Sequence, residues 1–163
     1  MSVFQSSYSK EFNINSEELW SLISQKNILE LTHPYCEVND DILWENQNHK
    51  DSIKYLNGNV YIREFTEWLE GRGFKLWIGE VDGPKSFVEW NIDDLNSSSR
   101  LTITVTPHLL RNWPKFLSYL PYLIYIKPKL TKYLYSVVNG FRWYIQNNKP
   151  IPKNFYGKHS WFS

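Results

Sequence analysis

Three charged side chains, Arg63, Glu67 and Glu80, interrupt the apolar pattern of two neighbouring segments of the chain. If these segments form a hairpin that turns at Gly71, Arg63 faces Glu80 and the two make a cross-strand ion pair. Glu67 then faces only Leu76, and a carboxylate buried without a partner is costly and has a raised pKa. Such a group is a candidate for orienting a ligand or moving a proton. The alternative is a solvated position near the open end of the sheet.

Histidine is the other residue type here that could carry acid–base chemistry. His33 precedes Pro34, where it is either a turn residue or a residue at the entrance of a cavity. The remaining histidines are scattered, without the spacing of a metal site: His49, His108 and His159. The sequence has a single cysteine and no G-x-S-x-G turn for a nucleophilic serine. We therefore predict no metal, no cofactor and no recognisable catalytic set.

The composition favours contact with apolar matter over contact with nucleic acid. A chain of 163 residues is long enough for one domain with a real core. Its 18 Lys and Arg residues nearly balance its 17 Asp and Glu residues, so no strong field points to nucleic acid. Aromatic residues make up 17% of the chain, and eight residues are Trp. The opening MSVFQSSYSKEF does not have the pattern of a signal peptide, and a cytoplasmic location is expected.

The elements that would position these residues begin with a strand and two short helices. Residues 3–14 read as a strand with aromatic side chains, including Tyr8, on one face. Asn15 and Glu18 have the spacing of a capping box, which predicts the start of a helix. A second short helix ends before Pro34, because proline disfavours helical backbone in the residue that precedes it.

The chain from there to Pro107 alternates apolar and polar residues and predicts about six consecutive antiparallel strands. The turn at Gly71 pairs residues 60–69 with residues 74–81, and the apolar stripes of the next two strands fall on the same face. A slip by one residue would expose all of these side chains, so the pattern indicates which face is buried. The predicted inner face comprises Tyr61, Phe65, Leu69, Phe74, Leu76, Ile78, Val88, Trp90, Ile92, Leu101, Ile103 and Val105.

A long helix is predicted from about residue 129 to residue 147. Pro128 suits its first turn. Gly140 inside this helix costs about 1 kcal/mol relative to Ala, which indicates a close approach to the sheet or to the preceding segment. The apolar face of the helix comprises Leu130, Leu134, Val137, Val138, Phe141 and Ile145. Three aromatic residues of the tail either pack or fill an apolar groove: Phe155, Trp161 and Phe162.

The segment before this helix is an apolar insertion over residues 107–128. It is too short for a membrane-spanning helix, and Pro121 lies in its middle. Three interpretations are open. In the first, two short helices that are broken at Pro121 cover the cavity or pack beside the long helix. In the second, a patch over Trp113–Tyr125 enters a bilayer interface, and in the third the segment is a dimer surface. In the membrane interpretation aromatic side chains enter the headgroup layer and basic ones meet phosphates. These residues are Trp113, Tyr119, Tyr122, Arg111, Lys115, Lys127 and Lys129.

Five stretches of the chain resemble the SRPBCC superfamily, the START-related and birch-pollen-allergen-like proteins with polyketide cyclase/dehydrase-like members: FNINSEELWSLIS, LTHPYCEV, VEWNIDD, SSRLTITVTP and the tail VVNGFRWYIQNNKPIPKNFYGKHSWFS. The resemblance covers nearly the whole chain. It implies an α+β helix-grip fold over residues 1–163, in which a curved antiparallel sheet of about six to seven strands wraps around a long C-terminal helix. Two short helices follow the first strand. The family has no universal catalytic residue, so none is carried over.

We therefore predict binding or transport of a small hydrophobic, lipid- or polyketide-like ligand between the sheet and the last helix. The expected site residues are Tyr8, Arg63 and Glu67 as polar contacts and Tyr61, Phe65, Leu76, Ile78, Trp90, Ile103, Leu134, Val138 and Phe141 as the wall. One alternative is a cyclase- or dehydratase-type enzyme on an aromatic or polyketide substrate, with Glu67 or His33 as acid or base. Another is a domain with a filled cavity whose 113–128 surface serves a protein partner. Peripheral membrane contact is the alternative to a purely cytoplasmic location.

Overall fold

A seven-stranded sheet with helices packed against it makes up the computed structural model, which describes residues 4–110 and 112–163. The predicted phosphate contact of Arg111 lies outside the described residues. The strands are β1 (Ser6–Phe12), β2 (Cys36–Glu45), β3 (Asn48–Tyr55), β4 (Val60–Leu69), β5 (Gly73–Gly79), β6 (Lys85–Asp94) and β7 (Ser99–Thr106). The helices are α1 (Ser16–Ile23), α2 (Leu29–Thr32), α3 (Lys115–Pro121) and α4 (Lys127–Asn147), and a π-helical turn (Tyr122–Ile126) joins the last two.

The strands form one antiparallel sheet in the order β1-β7-β6-β5-β4-β3-β2. Successive strands from β2 to β7 are neighbours, and β1 pairs with β7. Phe74 faces Trp90, and Trp90 faces Ile103, across the two ladders that join β5, β6 and β7. The predicted inner face is therefore confirmed for these three strands, and so is the α+β helix-grip fold.

A β-bulge in β4 shifts the register of the β4–β5 hairpin near its turn. Phe65 faces Leu76, whereas Trp68 faces Phe74, so β4 has one extra residue between these two pairs. Beyond the bulge the alternation of β4 is inverted: Trp68 stacks on Phe74 with ring centroids 5.4 Å apart, and Leu69 is 40% exposed. The prediction that Leu69 belongs to the inner face is wrong, because strict alternation does not allow for a bulge.

The two short helices after β1 have the predicted positions. At the start of α1 the Glu18 backbone N–H donates to the Asn15 side chain at 2.8 Å, and the Asn15 N–H donates to the Glu18 carboxylate at 3.2 Å. This confirms the capping box, which satisfies two N–H groups that the helix itself cannot bond. Helix α2 ends at His33, whose extended backbone (φ −102°, ψ 113°) leads into Pro34.

Helix α4 lies in the concave side of the sheet. The Asn139 side chain on α4 donates to the Tyr8 hydroxyl on β1 at 3.1 Å. One turn and a half earlier, the Tyr133 hydroxyl lies 2.9 Å from the Tyr55 hydroxyl on β3. Four strands separate β1 from β3 in the sheet, yet both contact this one helix. The sheet must therefore curve around α4.

Gly140 lies where α4 comes closest to the end of α2. A Cβ atom at this position would be 1.9 Å from the Thr32 carbonyl oxygen. The close approach predicted for Gly140 is confirmed, but its partner is α2 and not the sheet or the 107–128 segment.

Helix α3, the π-helical turn and α4 follow one another without a break. The residues at the two junctions, Tyr122 (φ −61°, ψ −51°) and Lys127 (φ −58°, ψ −45°), have right-handed helical backbone. The predicted break at Pro121 is therefore wrong. Pro121 and Pro128 remove two N–H donors, and the wider π turn between them accommodates the changed hydrogen bonding. None of the helices described in residues 4–110 and 112–163 is long and apolar enough to cross a membrane.

Candidate functional site

A cavity of about 220 Å³ lies between the inner face of the sheet and α4. Several predicted site residues are in its wall: Tyr61, Arg63, Leu76, Ile78, Trp90, Ile103 and Leu134. Further apolar residues complete the wall: Leu29, Ile53, Val88, Val105, Leu130, Val137 and Phe162. The wall is thus mainly apolar, which suits an apolar occupant.

Five predicted site residues lie outside the cavity wall, four of them in or beside the packed core and the fifth, Glu67, on the outer face of the sheet. Val138 and Phe141 are completely buried, at 0% exposure, but they belong to the packed part of the core. Tyr8 accepts a hydrogen bond from Asn139 and does not reach the cavity. Phe65 packs within a cluster of aromatic rings contributed by β2, β4 and β5. The inner face is therefore larger than the cavity, because bulky side chains fill the rest of the space.

Glu67 is not in the cavity wall, contrary to the prediction. Its carboxylate forms an ion pair with the Lys75 ammonium at 2.6 Å, and its side chain is 41% exposed. The bulge that follows Phe65 turns Glu67 to the outer face of the sheet. Glu67 is therefore a solvated acid, which was the alternative interpretation.

Arg63 is the buried charged residue of the cavity wall, and its partner is Asp51 on β3 and not Glu80 as predicted. The Arg63 Nε–H donates to Asp51 Oδ1 at 2.7 Å, and Nη2–H donates to Oδ2 of the same carboxylate. Asn39 donates a further hydrogen bond to Oδ2 at 3.0 Å. Burial by itself lowers the pKa of Arg63, and the Asp51 carboxylate more than offsets this, so the guanidinium remains charged. Asp51 lies directly opposite Arg63 in the ladder that joins β3 and β4, whereas the prediction considered only the hairpin of β4 and β5.

A hydrogen-bonded row of three side chains, His33, Tyr133 and Tyr55, lies beside Arg63 in the wall. His33 Nε2 is 3.0 Å from the Tyr133 hydroxyl, which is 2.9 Å from the Tyr55 hydroxyl. Burial, with the charges of Arg63 and Lys153, lowers the pKa of His33 to about 3. Burial also raises the pKa of Tyr55 and of Tyr133, so all three side chains are neutral at pH 7. Sequence reasoning proposed His33 at the cavity entrance but missed both tyrosines.

Another part of the cavity wall approaches solvent at the turn between β5 and β6. The exposed residues Glu80 and Pro84 contribute to the wall there. Ser86 and His108 also line the cavity, with Ser86 Oγ 3.0 Å from His108 Nδ1. Among residues 4–110 and 112–163, no group of three or more His, Cys, Asp or Glu side chains is arranged to hold a metal ion.

The C-terminal tail closes the cavity at its polar end. The ring of Phe162 lies 4.4 Å from that of Tyr55 and 4.6 Å from that of Tyr133, measured between centroids. Phe162 is 8% exposed, whereas Phe155 is 47% exposed. Of the tail aromatics that were candidates for filling a groove, Phe162 is therefore the one in the cavity wall.

Apart from His108, no residue of the 107–128 segment that the structure describes lines the cavity, and most of the large apolar side chains of this segment face solvent. Tyr122 and Ile126 are buried, and the Tyr122 hydroxyl donates to the Gln5 carbonyl at 2.6 Å. The prediction that packing hides this segment is therefore wrong for most of it. Its exposed residues, called the α3 patch below, are Trp113, Phe116, Leu117, Tyr119, Leu120, Ile124 and Tyr125.

The charges of the chain are segregated along the sequence, a signal that the near-zero net charge conceals. The sequence has no acidic residue after Asp94, although more than half of its 18 Lys and Arg residues lie there. Lys129, one of these, lies over the ring of Tyr125 with its Nζ 4.2 Å from the ring centroid. The α3 patch thus belongs to a part of the chain without carboxylates.

No protein-family profile and no curated protein sequence matches the chain. Solved structures match it by fold. DynU16, from the dynemicin biosynthetic locus, has a TM-score of 0.65 at 11% identity over 90% of this chain. The di-domain ARO/CYC protein BexL, from the BE-7585A biosynthetic pathway, has a TM-score of 0.64 at 9% identity over 86% of this chain. This chain covers 48% of DynU16 and 47% of BexL, about half of each.

A START superfamily protein from Mycobacterium smegmatis matches at nearly full length. Its TM-score is 0.58 at 12% identity, and the match covers 90% of this chain and 97% of that protein. Identities this low show the fold alone. The chain therefore has the helix-grip fold that the resemblance of its sequence motifs implied, and it shares this fold with these solved structures.

Proposed function

We propose that this protein binds a small, mainly apolar molecule in the cavity between the sheet and α4. The observation that carries the proposal is a space of about 220 Å³ between the sheet and α4 whose wall is mainly apolar. Well-packed cores leave few voids larger than a water molecule, so a space of this size is unusual unless something occupies it. The solved structures with the same fold support a ligand-binding role in general.

The volume limits the size of the ligand. It exceeds the ~150 Å³ cavity that accepts benzene in an engineered protein core. It is smaller than the ~300–1,000 Å³ of pockets for drug-sized ligands. A molecule of one or two rings, or a short alkyl chain, fits this range, and a lipid-sized or polyketide-sized ligand requires the cavity to widen.

Acid–base catalysis by the two predicted residues has less support than binding. Glu67 lies on the outer face of the sheet and is paired with Lys75. His33 faces the cavity, but its pKa of about 3 keeps it neutral, and both of its ring nitrogens are engaged. Neither residue is poised to exchange a proton with a substrate near pH 7.

Calorimetric titration with indane, a bicyclic hydrocarbon, tests the proposal. We expect the wild-type protein to bind indane and Val137→Phe to lose binding, because the added ring enters the cavity. Thr131→Phe adds the same ring on the exposed side of α4 and should bind as the wild type does. Circular dichroism checks that both variants are folded, and Val88→Ile provides a milder filling of the cavity.

Native mass spectrometry of freshly purified protein provides the second arm of this test. A co-purified small molecule that Val137→Phe lacks would support the proposal. The absence of a co-purified molecule together with the absence of indane binding would contradict it.

We further propose that the α3 patch docks on an anionic membrane surface. Exposed aromatic and aliphatic side chains suit the interfacial layer of a bilayer, and basic residues are attracted to anionic lipids. The α3 patch has seven large apolar residues that are 53–80% exposed, and it lies in the segment without Asp or Glu. Contact with a bilayer would allow an apolar ligand to pass between the membrane and the cavity.

Flotation with lipid vesicles tests the docking proposal. We expect wild-type protein to float with vesicles that contain phosphatidylserine at low salt, and to bind pure phosphatidylcholine vesicles less. Phe116→Ser/Leu120→Ser should not float, because it removes two of the most exposed apolar residues of the α3 patch. Val60→Ser, an exposed apolar position on β4, is the matched control. If the wild-type protein floats with neither kind of vesicle and sediments as a dimer, the membrane-docking proposal is overturned, and the α3 patch is a surface for self-association.

A further inference from the structure

The contacts of His33 favour one direction of hydrogen bonding along the row from His33 to Tyr55. The Tyr35 backbone N–H donates to His33 Nδ1 at 3.1 Å, so this nitrogen carries no proton. The single proton of the neutral ring is then on Nε2, which donates to the Tyr133 hydroxyl oxygen. Because hydrogen bonds in a chain polarise one another, a Tyr133 hydroxyl that accepts from His33 is the better donor to Tyr55, 2.9 Å away. The row therefore runs in one direction, from His33 to Tyr55.

The last proton of the row, on the Tyr55 hydroxyl, has no protein acceptor. Within residues 4–110 and 112–163, the only hydrogen bond of this hydroxyl is the one it accepts from Tyr133. Tyr55 is 1% exposed and lies in the cavity wall, so water outside the protein does not satisfy it. A buried donor without an acceptor costs about 1–3 kcal/mol, which an acceptor atom on a ligand would remove.

Arg63 offers a second donor at the same end of the cavity. Asp51 occupies Nε and Nη2 of the guanidinium, and among the described contacts no acceptor reaches Nη1. Both Arg63 and Tyr55 are wall residues. The end of the cavity formed by Tyr55 and Arg63 thus presents hydrogen-bond donors in a wall that is mainly apolar.

We propose that the ligand carries an acceptor oxygen, which Tyr55 holds through its hydroxyl with support from Arg63 Nη1. This rests on the proposed function and names its ligand class: a small, neutral carbonyl compound of one or two rings or a short chain. The oxygen is uncharged because the bidentate pair with Asp51 already neutralises Arg63. A carboxylate would enter this end without a free countercharge and would lose its hydration.

A matched pair of probes, 1-indanone and indane, tests the assignment, because the two share a bicyclic skeleton and differ at the carbonyl group. In Tyr55→Phe the row of hydroxyl groups ends at Tyr133, 2.9 Å further back. We expect this variant to bind 1-indanone about tenfold more weakly than wild type, the effect of one lost hydrogen bond. The affinity of this variant for indane should change less than about twofold, because indane has no oxygen atom to accept a hydrogen bond.

Tyr135→Phe is the control, since it removes a hydroxyl from an exposed position of α4 that lies outside both the cavity wall and the row. We expect it to leave the ratio of the two affinities unchanged. Infrared spectroscopy of ¹³C-labelled 1-indanone gives an independent readout: its carbonyl band should lie at lower frequency in wild type than in Tyr55→Phe.

The outcomes separate this inference from the function on which it rests. If both probes bind wild type and Tyr55→Phe leaves their affinity ratio and the carbonyl band unchanged, the role of Tyr55 is overturned and the cavity remains a binding site. If the wild-type protein binds indane-1-carboxylate more tightly than 1-indanone, the assignment of a neutral ligand is overturned. If neither probe binds wild type, the proposed function fails, and this inference fails with it.

Discussion

The buried polar residues of the cavity wall around Arg63 are either paired or neutral, and each has a specific physical reason. Arg63 keeps its charge because Asp51 accepts two hydrogen bonds from it. His33 is neutral because it is buried close to the positive charges of Arg63 and Lys153. A largely apolar wall can tolerate these groups because none of them is an unpaired charge.

His33→Gln should reduce the pH dependence of stability, because Gln offers an N–H donor to Tyr133 but does not titrate. His33 has a pKa of about 3 in the folded protein against 6.5 for an ordinary histidine. As pH falls, the unfolded chain takes up the proton first, so this stabilisation is full above pH 6.5 and is lost towards pH 3. Between pH 7 and pH 5 we expect wild type to lose about 2 kcal/mol relative to the variant.

Urea unfolding at several pH values measures this difference. The pKa of His49 and of His159 is also lowered by burial, so wild type and His33→Gln share these contributions and only their difference reports on His33. If the free energy of unfolding changes with pH to the same extent in wild type and in His33→Gln, His33 is not buried in its neutral form.

Asp51→Asn should destabilise the protein by about 3–5 kcal/mol, because it leaves the buried Arg63 without a countercharge. The double variant Asp51→Leu/Arg63→Met removes both charges and should regain most of the loss. Urea unfolding of the three proteins gives the free energies. A double variant no more stable than Asp51→Asn would contradict the pairing.

At the scale of elements, the sequence predicted the parts that repeat and missed the exceptions to the repeat. The alternation in β5, β6 and β7 correctly indicated which side chains face inward, because no bulge interrupts those strands. The bulge in β4 has no sequence signal of its own, so Glu67 and Leu69 were assigned to the wrong face. Pro121 was taken as a helix end, because a local rule does not include the π-helical turn that accommodates it.

Gly140→Ala should destabilise the protein, although alanine is favoured over glycine in a helix by about 1 kcal/mol. The new Cβ would lie 1.9 Å from the Thr32 carbonyl oxygen, so α2 or α4 must move. Overpacking of this kind costs roughly 1–3 kcal/mol. Thermal unfolding should therefore occur at a lower temperature, whereas Thr131→Ala at an exposed position of α4 should change little. A Gly140→Ala variant as stable as wild type would contradict the α2–α4 contact.

At the scale of the whole molecule, the fold was predictable and the boundary of the site was not. Loose motifs and strand patterns were enough for the helix-grip architecture, since every strand and helix has its own periodicity. The cavity depends instead on which large side chains fill the concave space. Phe141 fills part of it from α4, and Tyr55, Tyr133 and Phe162 converge on one end from three distant parts of the chain. No local sequence pattern predicts contacts between side chains that lie so far apart in the chain.

Intermolecular nuclear Overhauser effects from indane to labelled methyl groups test the central claim most directly, because they report where the molecule sits. We expect contacts with the cavity methyl groups of Leu76, Ile103 and Leu134. Contacts confined to Leu117 and Ile124 of the α3 patch, with none to the cavity methyl groups, would contradict the account and make the outer surface the binding site.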